Sequence, residues 1–128
     1  MNSQKFFICE HCKNLVGMIN NANVPLICCG EKMKELVPNT VEAAHEKHIP
    51  AVTISGDTVT VAIGSVAHPM TEEHHIEFIY VETKNGGQRK SLKVGEAAVA
   101  TFKLVDDTAL EVFAYCNLHG LWKVKVGE

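Results

Sequence analysis

The chain has 128 residues, 46% of them hydrophobic, enough for one well-buried domain with a small satellite. Twelve Lys and Arg against fifteen Asp and Glu give a formal charge of −3, and without a basic run longer than two residues there is no nucleic-acid or anionic-membrane footprint. No apolar stretch approaches the length of a membrane span.

The start, "MNSQKFFICEHCK", reaches paired cysteines too soon for a signal peptide. Four of the five cysteines, Cys9, Cys12, Cys28 and Cys29, fall in the first thirty residues. An odd cysteine count without a secretory leader argues for reduced thiols in the cytoplasm rather than a disulfide framework. Residues 1–36 are short and broken by "NNAN", Pro25 and Gly30, so they cannot build a core and a metal must hold them. Cys9-Glu10-His11-Cys12 followed by Cys28-Cys29 lets two turns bring four thiolates around one ion. Zinc and iron both fit that donor set. Two adjacent cysteines must both turn inward, which should strain the tetrahedron. His11 is read as solvated, and a haem attachment fails because Lys13 stands where that motif needs histidine.

Pro38 and Pro50 bracket a stretch, 37–47, read as a linker with one helical turn at Val41 to Lys47. From residue 48 the pattern is that of strands. "AVTI", a turn at "SGD" and "TVTVAIG" make one hairpin. "HHIEFIYVET", positive-φ turn residues in "KNGG", and "QRKSLKV" make a second. "AAVATFKLV", "TALEVFAYC" and "LWKVKV" complete about seven short strands, which predicts an immunoglobulin-like antiparallel β-sandwich in a mainly β protein.

The fifth cysteine stands apart in "YCNLHGLW", Tyr115 to Trp122, as half of a Cys-X-X-His pair. Four of the seven histidines join it by context: His48 in "EKHIP", His68 in "AHPM", His74 in "EEHH" and His119. Loops at one end of a sandwich can bring them together. Four imidazoles and one thiolate exceed what structural zinc takes, whereas iron accepts five and keeps one position open. That arrangement implies redox chemistry on a small molecule. A Cys116/His119 nucleophile and base would lack an oxyanion donor motif and leave three histidines unexplained.

"CEHC", "CCG", "EKHIP", "HPM" with His74, and "YCNLHGLW" resemble, in order and across nearly the whole chain, the motifs of desulfoferrodoxin, the two-iron superoxide reductase family. The resemblance implies a desulforedoxin-like domain at 1–36 whose Cys9, Cys12, Cys28 and Cys29 hold a rubredoxin-like iron. It implies a sandwich at 48–128 with a catalytic iron on His48, His68, His74 and His119 as equatorial nitrogens and Cys116 as axial sulfur. It further implies reduction of superoxide to hydrogen peroxide without dismutation, with Glu46 binding the oxidised iron and Lys47 attracting the anion and helping to supply a proton. A homodimer re-reduced by a small carrier such as rubredoxin completes the family picture. Two positions depart from the family pattern, His45 where lysine is common and His75 where an aromatic residue is common; both are read as surface histidines. Two other functions remain open: pure electron transfer by both irons, or a zinc interaction module built on the first four cysteines.

Overall fold

The computed structural model describes residues 3–126 and separates into two compact units, Met1–Val37 and Pro38–Glu128. In the first unit, β1 (Phe6–Ile8) pairs antiparallel with β2 (Leu15–Gly17) on one side and β5 (Lys34–Glu35) on the other. β3 (Ile27–Cys28) and β4 (Glu31–Lys32) form a separate two-stranded hairpin. Strands of two or three residues bury little, which agrees with a segment held by its cysteines.

The second unit is an antiparallel sandwich. Its first sheet has the order β10 (Val99–Lys103), β7 (Thr58–Ile63), β6 (Pro50–Ser55); its second has β12 (Gly120–Lys125), β11 (Ala109–Cys116), β8 (Ile76–Thr83), β9 (Gly86–Ser91). The sandwich and the mainly β class are therefore as the sequence predicts. The period-2 pattern explains the burial: Val59, Val61 and Ile63 of β7 point inward with Ala100 and Phe102 of β10, while Thr58, Thr60 and Ala62 face outward. Ile79 and Val81 of β8 meet them from the other sheet together with Val112 and Ala114 of β11. Each Val, Ile or Phe among them contributes about 1.5–3 kcal/mol on full burial, so the sandwich has a core independent of any ion.

Both hairpins lie where the sequence places them. Ser55 pairs with Thr58 across Gly56-Asp57, and Thr83 pairs with Gly86 across Lys84-Asn85. In the second hairpin the positive φ falls on Gly86 rather than on the two central residues. Asn85 is instead held from outside, its N–H donating to Asp107 Oδ1 at 3.1 Å and its Nδ2 to the Asp106 carbonyl at 3.3 Å.

The helical turn α1 covers His45–His48 and not Val41–Lys47. Ala44 is extended at its start, and Ile49, extended before Pro50, ends it. Ahead of it, Asn39 binds the edge strand β12 as a neighbouring strand would: its Oδ1 accepts the Lys123 N–H at 2.9 Å and its Nδ2 donates to the Lys123 carbonyl at 3.0 Å. Among the described residues, no helix is long and apolar enough to cross a membrane.

Candidate metal centres

In the first unit the sulfurs of Cys9, Cys12, Cys28 and Cys29 all lie within 4.8 Å of one another. The Cys9 and Cys12 arm is a tight turn in which the Lys13 N–H donates to the Cys9 carbonyl at 2.8 Å, with Lys13 at φ 67°. Backbone N–H groups of Cys12, foremost, and of His11 hold the Cys9 thiol down to about 6 against its burial. In the other arm the expected strain of adjacent ligands falls on the backbone of a turn. Cys29 and Gly30, at φ 53° and 76°, are the central residues of the β3–β4 hairpin, with the positive φ at both positions that a type I′ turn requires. Crowding by the Cys12, Cys9 and Cys28 sulfurs pushes the Cys29 thiol up to about 12. Four sulfurs this close cannot all ionise without a cation, so the donor set fits one tetrahedral ion. His11 is exposed and faces Glu31 at 3.1 Å, as a solvated residue should.

In the second unit five donors come from both sheets at one end of the sandwich. His48 ends α1 just before β6, His68 lies in the loop after β7, and His74 precedes β8. Cys116 ends β11, and His119 closes the turn into β12, where Gly120 at φ 79° pairs with Cys116. The donor atoms of His48, His68, His74 and Cys116 lie within 4.8 Å of one another, and His119 Nδ1 is 3.2 Å from His48 Nε2 and 3.9 Å from Cys116 Sγ.

The four imidazoles form a ring. Neighbouring centroids are 4.6 Å (His48 and His68), 4.6 Å (His68 and His74), 5.0 Å (His74 and His119) and 4.9 Å (His119 and His48), each pair meeting edge to face at 76–90°. The 6.3 Å between His48 and His74, longer than any side, is a diagonal. The four rings thus surround one point, as donors to a single ion would. Two nitrogens bound at right angles at about 2.1 Å lie about 3.0 Å apart, close to the 3.1 Å between His48 Nε2 and His68 Nε2.

The hydrogen bonds at the other ring nitrogens suit a cation there. His48 Nδ1 donates to the Ala44 carbonyl and His68 Nδ1 to the Pro69 carbonyl, both at 2.7 Å. With the protons on Nδ1, both Nε2 atoms present lone pairs to each other, which is repulsive unless something positive lies between them. His74 Nε2 is buried with no hydrogen-bond partner among the described residues. Burial, the leading cause in each case, depresses the pKa of His48 and His74 and brings that of His68 to about 4, so the rings are neutral and ready to bind at neutral pH. Burial raises the Cys116 thiol, opposed by N–H groups of His119 and Leu118 donated to its sulfur. An ion that supplies positive charge would draw out that thiolate. The residues present fit iron.

Trp122, fully buried, stacks on the His48 ring at 4.9 Å and 24° and donates its Nε1–H to the His119 carbonyl at 3.1 Å, steadying two donors at once. The sequence offers no signal for this beyond the tryptophan's place in the motif. Glu46 and Lys47 lie exposed on α1 beside His48, and the charge of Lys47 contributes to the depressed pKa of His48 and His74. His45 is exposed with its ring edge on Trp122 at 5.2 Å. His75 lies at the surface but is tethered there. It is partly buried, and its Nδ1 bonds the carbonyls of Thr71 and Glu72 at 2.9 and 3.1 Å.

A family model described as Desulfoferrodoxin matches residues 40–125. The desulfoferrodoxin of Syntrophotalea carbinolica is 43% identical over 89% of this chain and 90% of its own length. The solved superoxide reductase from Treponema pallidum superposes with a TM-score of 0.83 at 42% identity, covering 97% of this chain and all of that one. The one-iron superoxide reductase from Giardia intestinalis covers 62% of this chain and 95% of its own, with a TM-score of 0.53 and 35% identity. This chain belongs to the desulfoferrodoxin family.

Proposed function

We propose that this protein is a superoxide reductase whose catalytic iron is held by His48, His68, His74, His119 and Cys116, with Cys9, Cys12, Cys28 and Cys29 holding a second iron. The observation that carries the reading is the ring of four imidazoles with a buried cysteine sulfur against it. The names of the similar structures support superoxide as the substrate. When bound, iron supplies one electron per superoxide, and two protons complete hydrogen peroxide.

The chain's own residues do the rest. Lys47 places an ammonium beside the ring, where it attracts the anion and helps to bring a proton. The N–H groups of Leu118 and His119 withdraw electron density from the Cys116 sulfur, limiting the donation that would otherwise favour O–O cleavage. Glu46, one residue from Lys47 on an exposed turn, supplies the carboxylate that closes the oxidised site. The separation of the chain at Val37/Pro38 supports a metal-bound domain at 1–36, a connecting stretch at 37–47 and a catalytic sandwich at 48–128. Family membership supports a homodimer re-reduced by a small electron carrier such as rubredoxin, and the free cysteines suit the cytoplasm.

Superoxide pulsed onto the reduced, iron-loaded protein should give one hydrogen peroxide per superoxide with no dioxygen. Evolution of dioxygen, or a slow uncatalysed decay, would overturn the reading, the latter in favour of pure electron transfer. Metal analysis that returns one zinc per chain instead of two irons would favour the interaction module.

A further inference from the structure

His48 and His68 are each aimed by a ring hydrogen bond to a backbone carbonyl. His74 is held through its backbone on both sides. On one side Thr71 closes a turn on it: the Thr71 N–H and hydroxyl donate to the His74 carbonyl at 2.9 and 3.2 Å, and that hydroxyl accepts the His74 N–H at 3.1 Å. On the other side stands Asn117. Its Oδ1 accepts the His75 N–H at 2.8 Å and its Nδ2 donates to the Glu73 carbonyl at 3.0 Å, so one carboxamide binds the residues before and after His74. The Asn117 N–H donates to the His75 carbonyl at 3.1 Å.

Asn117 directly follows Cys116 and lies in the turn that ends at His119. Its bonds therefore span two loops that carry three of the five donors. The sheet does this only in part, through the bond from the Asn117 N–H to the His75 carbonyl. The register shifts as Tyr115 pairs with Phe78 but Cys116 with Ile76, so the regular ladder breaks at Glu77, just before the site. A planar group with one acceptor and two donors is what the gap calls for.

We propose that Asn117 is a positioning residue that locks the His74 loop onto the Cys116–His119 turn and so sets how tightly the sandwich holds its ion. The inference rests on the ligand set of the proposed function.

The test uses the full-length, iron-loaded protein titrated with a competing chelator, following iron content, visible absorption and the reduction potential of the sandwich iron. Asn117→Ala should weaken retention of that iron by roughly ten- to hundredfold and shift its absorption, while the four-cysteine iron is unchanged. Asn117→Asp keeps the acceptor for His75 and loses the donor to Glu73, so it should fall between; if the Ala variant does not fold, this variant decides by the same criteria. Parent-like retention, absorption and potential overturn the proposal, and so does a variant that loses only thermal stability. A parent that retains no second iron overturns the ligand reading itself, and the proposal with it.

Discussion

Gly64 sits where the end of β7 passes against the backbone of α1, with the Val66 N–H donating to the Glu46 carbonyl at 2.8 Å. Its φ is +82°, and a Cβ there would lie 2.5 Å from the Val66 carbonyl oxygen, 2.7 Å from the Lys47 carbonyl carbon and closer still to the Glu46 carbonyl oxygen. Atoms in contact keep roughly 3.5 Å, so Gly64→Ala must push this backbone by about 1 Å. The neighbours are main chain and cannot rotate away. The left-handed conformation costs an alanine about 1–2 kcal/mol, and overpacking adds about 1–3 kcal/mol. Together that is about 2–5 kcal/mol, and at about 4–8 °C per kcal/mol for a domain of this size the melting temperature should fall by at least about 8 °C. The single tryptophan, Trp122, reports the transition because it is buried against His48. Since the displaced segment carries Glu46, Lys47 and His48, the same variant should lose iron from the sandwich before it unfolds. A melting temperature within about 2 °C of the parent, with full iron retention, would refute the steric argument.

Lys47→Ala should slow the second-order reaction with superoxide: an ammonium about 6 Å from the anion, at an effective dielectric of roughly 20–80, contributes about 0.7–3 kcal/mol, or about threefold to a hundredfold in rate. Its rate should also depend less on ionic strength, and pulse radiolysis giving equal rates and salt slopes for variant and parent would remove Lys47 from capture. Cys12→Ser should empty the four-cysteine site yet leave superoxide reduction by the pre-reduced protein near parent level, because the sandwich has its own donors and core; loss of both irons would refute that separation. Stripped of metal, the protein should lose stability as pH falls from about 6.5 towards 4. His48, His68 and His74 have folded pKa values below the unfolded value, so the unfolded chain binds more protons across that window. Melts at pH 7.5, 6 and 4.5 check this, and a flat profile would contradict it.

The donors were legible because ligand chemistry restricts them to a few residue types, and nine such residues in short motifs survive any uncertainty about where the strands end. The strands were legible from alternation, as in "TVTVAIG", and from the turn at "SGD". The supports of the site were not. His48 and His68 are oriented by the carbonyls of Ala44 and Pro69, and a carbonyl belongs to every residue, so it leaves no mark in a sequence. Asn117 reads as an ordinary turn residue because its partners lie 42 and 44 positions away. The sequence predicts the helical turn too early because Val41 to Lys47 contains good helix formers, while Ile49 and Pro50 determine only where the turn stops.

Cys29 sits where the residue best for the turn and the residue best for the ion differ. Asn or Gly would relax a left-handed backbone that costs another residue about 1–2 kcal/mol, and either would remove a sulfur. A bond from the Cys29 sulfur to an ion would offset that cost. β3 and β4 have only two residues each, too few to hold the turn closed. When the ion leaves, Cys29 is released to return to negative φ, and the two strands should come apart with it. An ion held by all four sulfurs would therefore stabilise the hairpin as well as be held by it, so loading the site should lower the mobility of this turn.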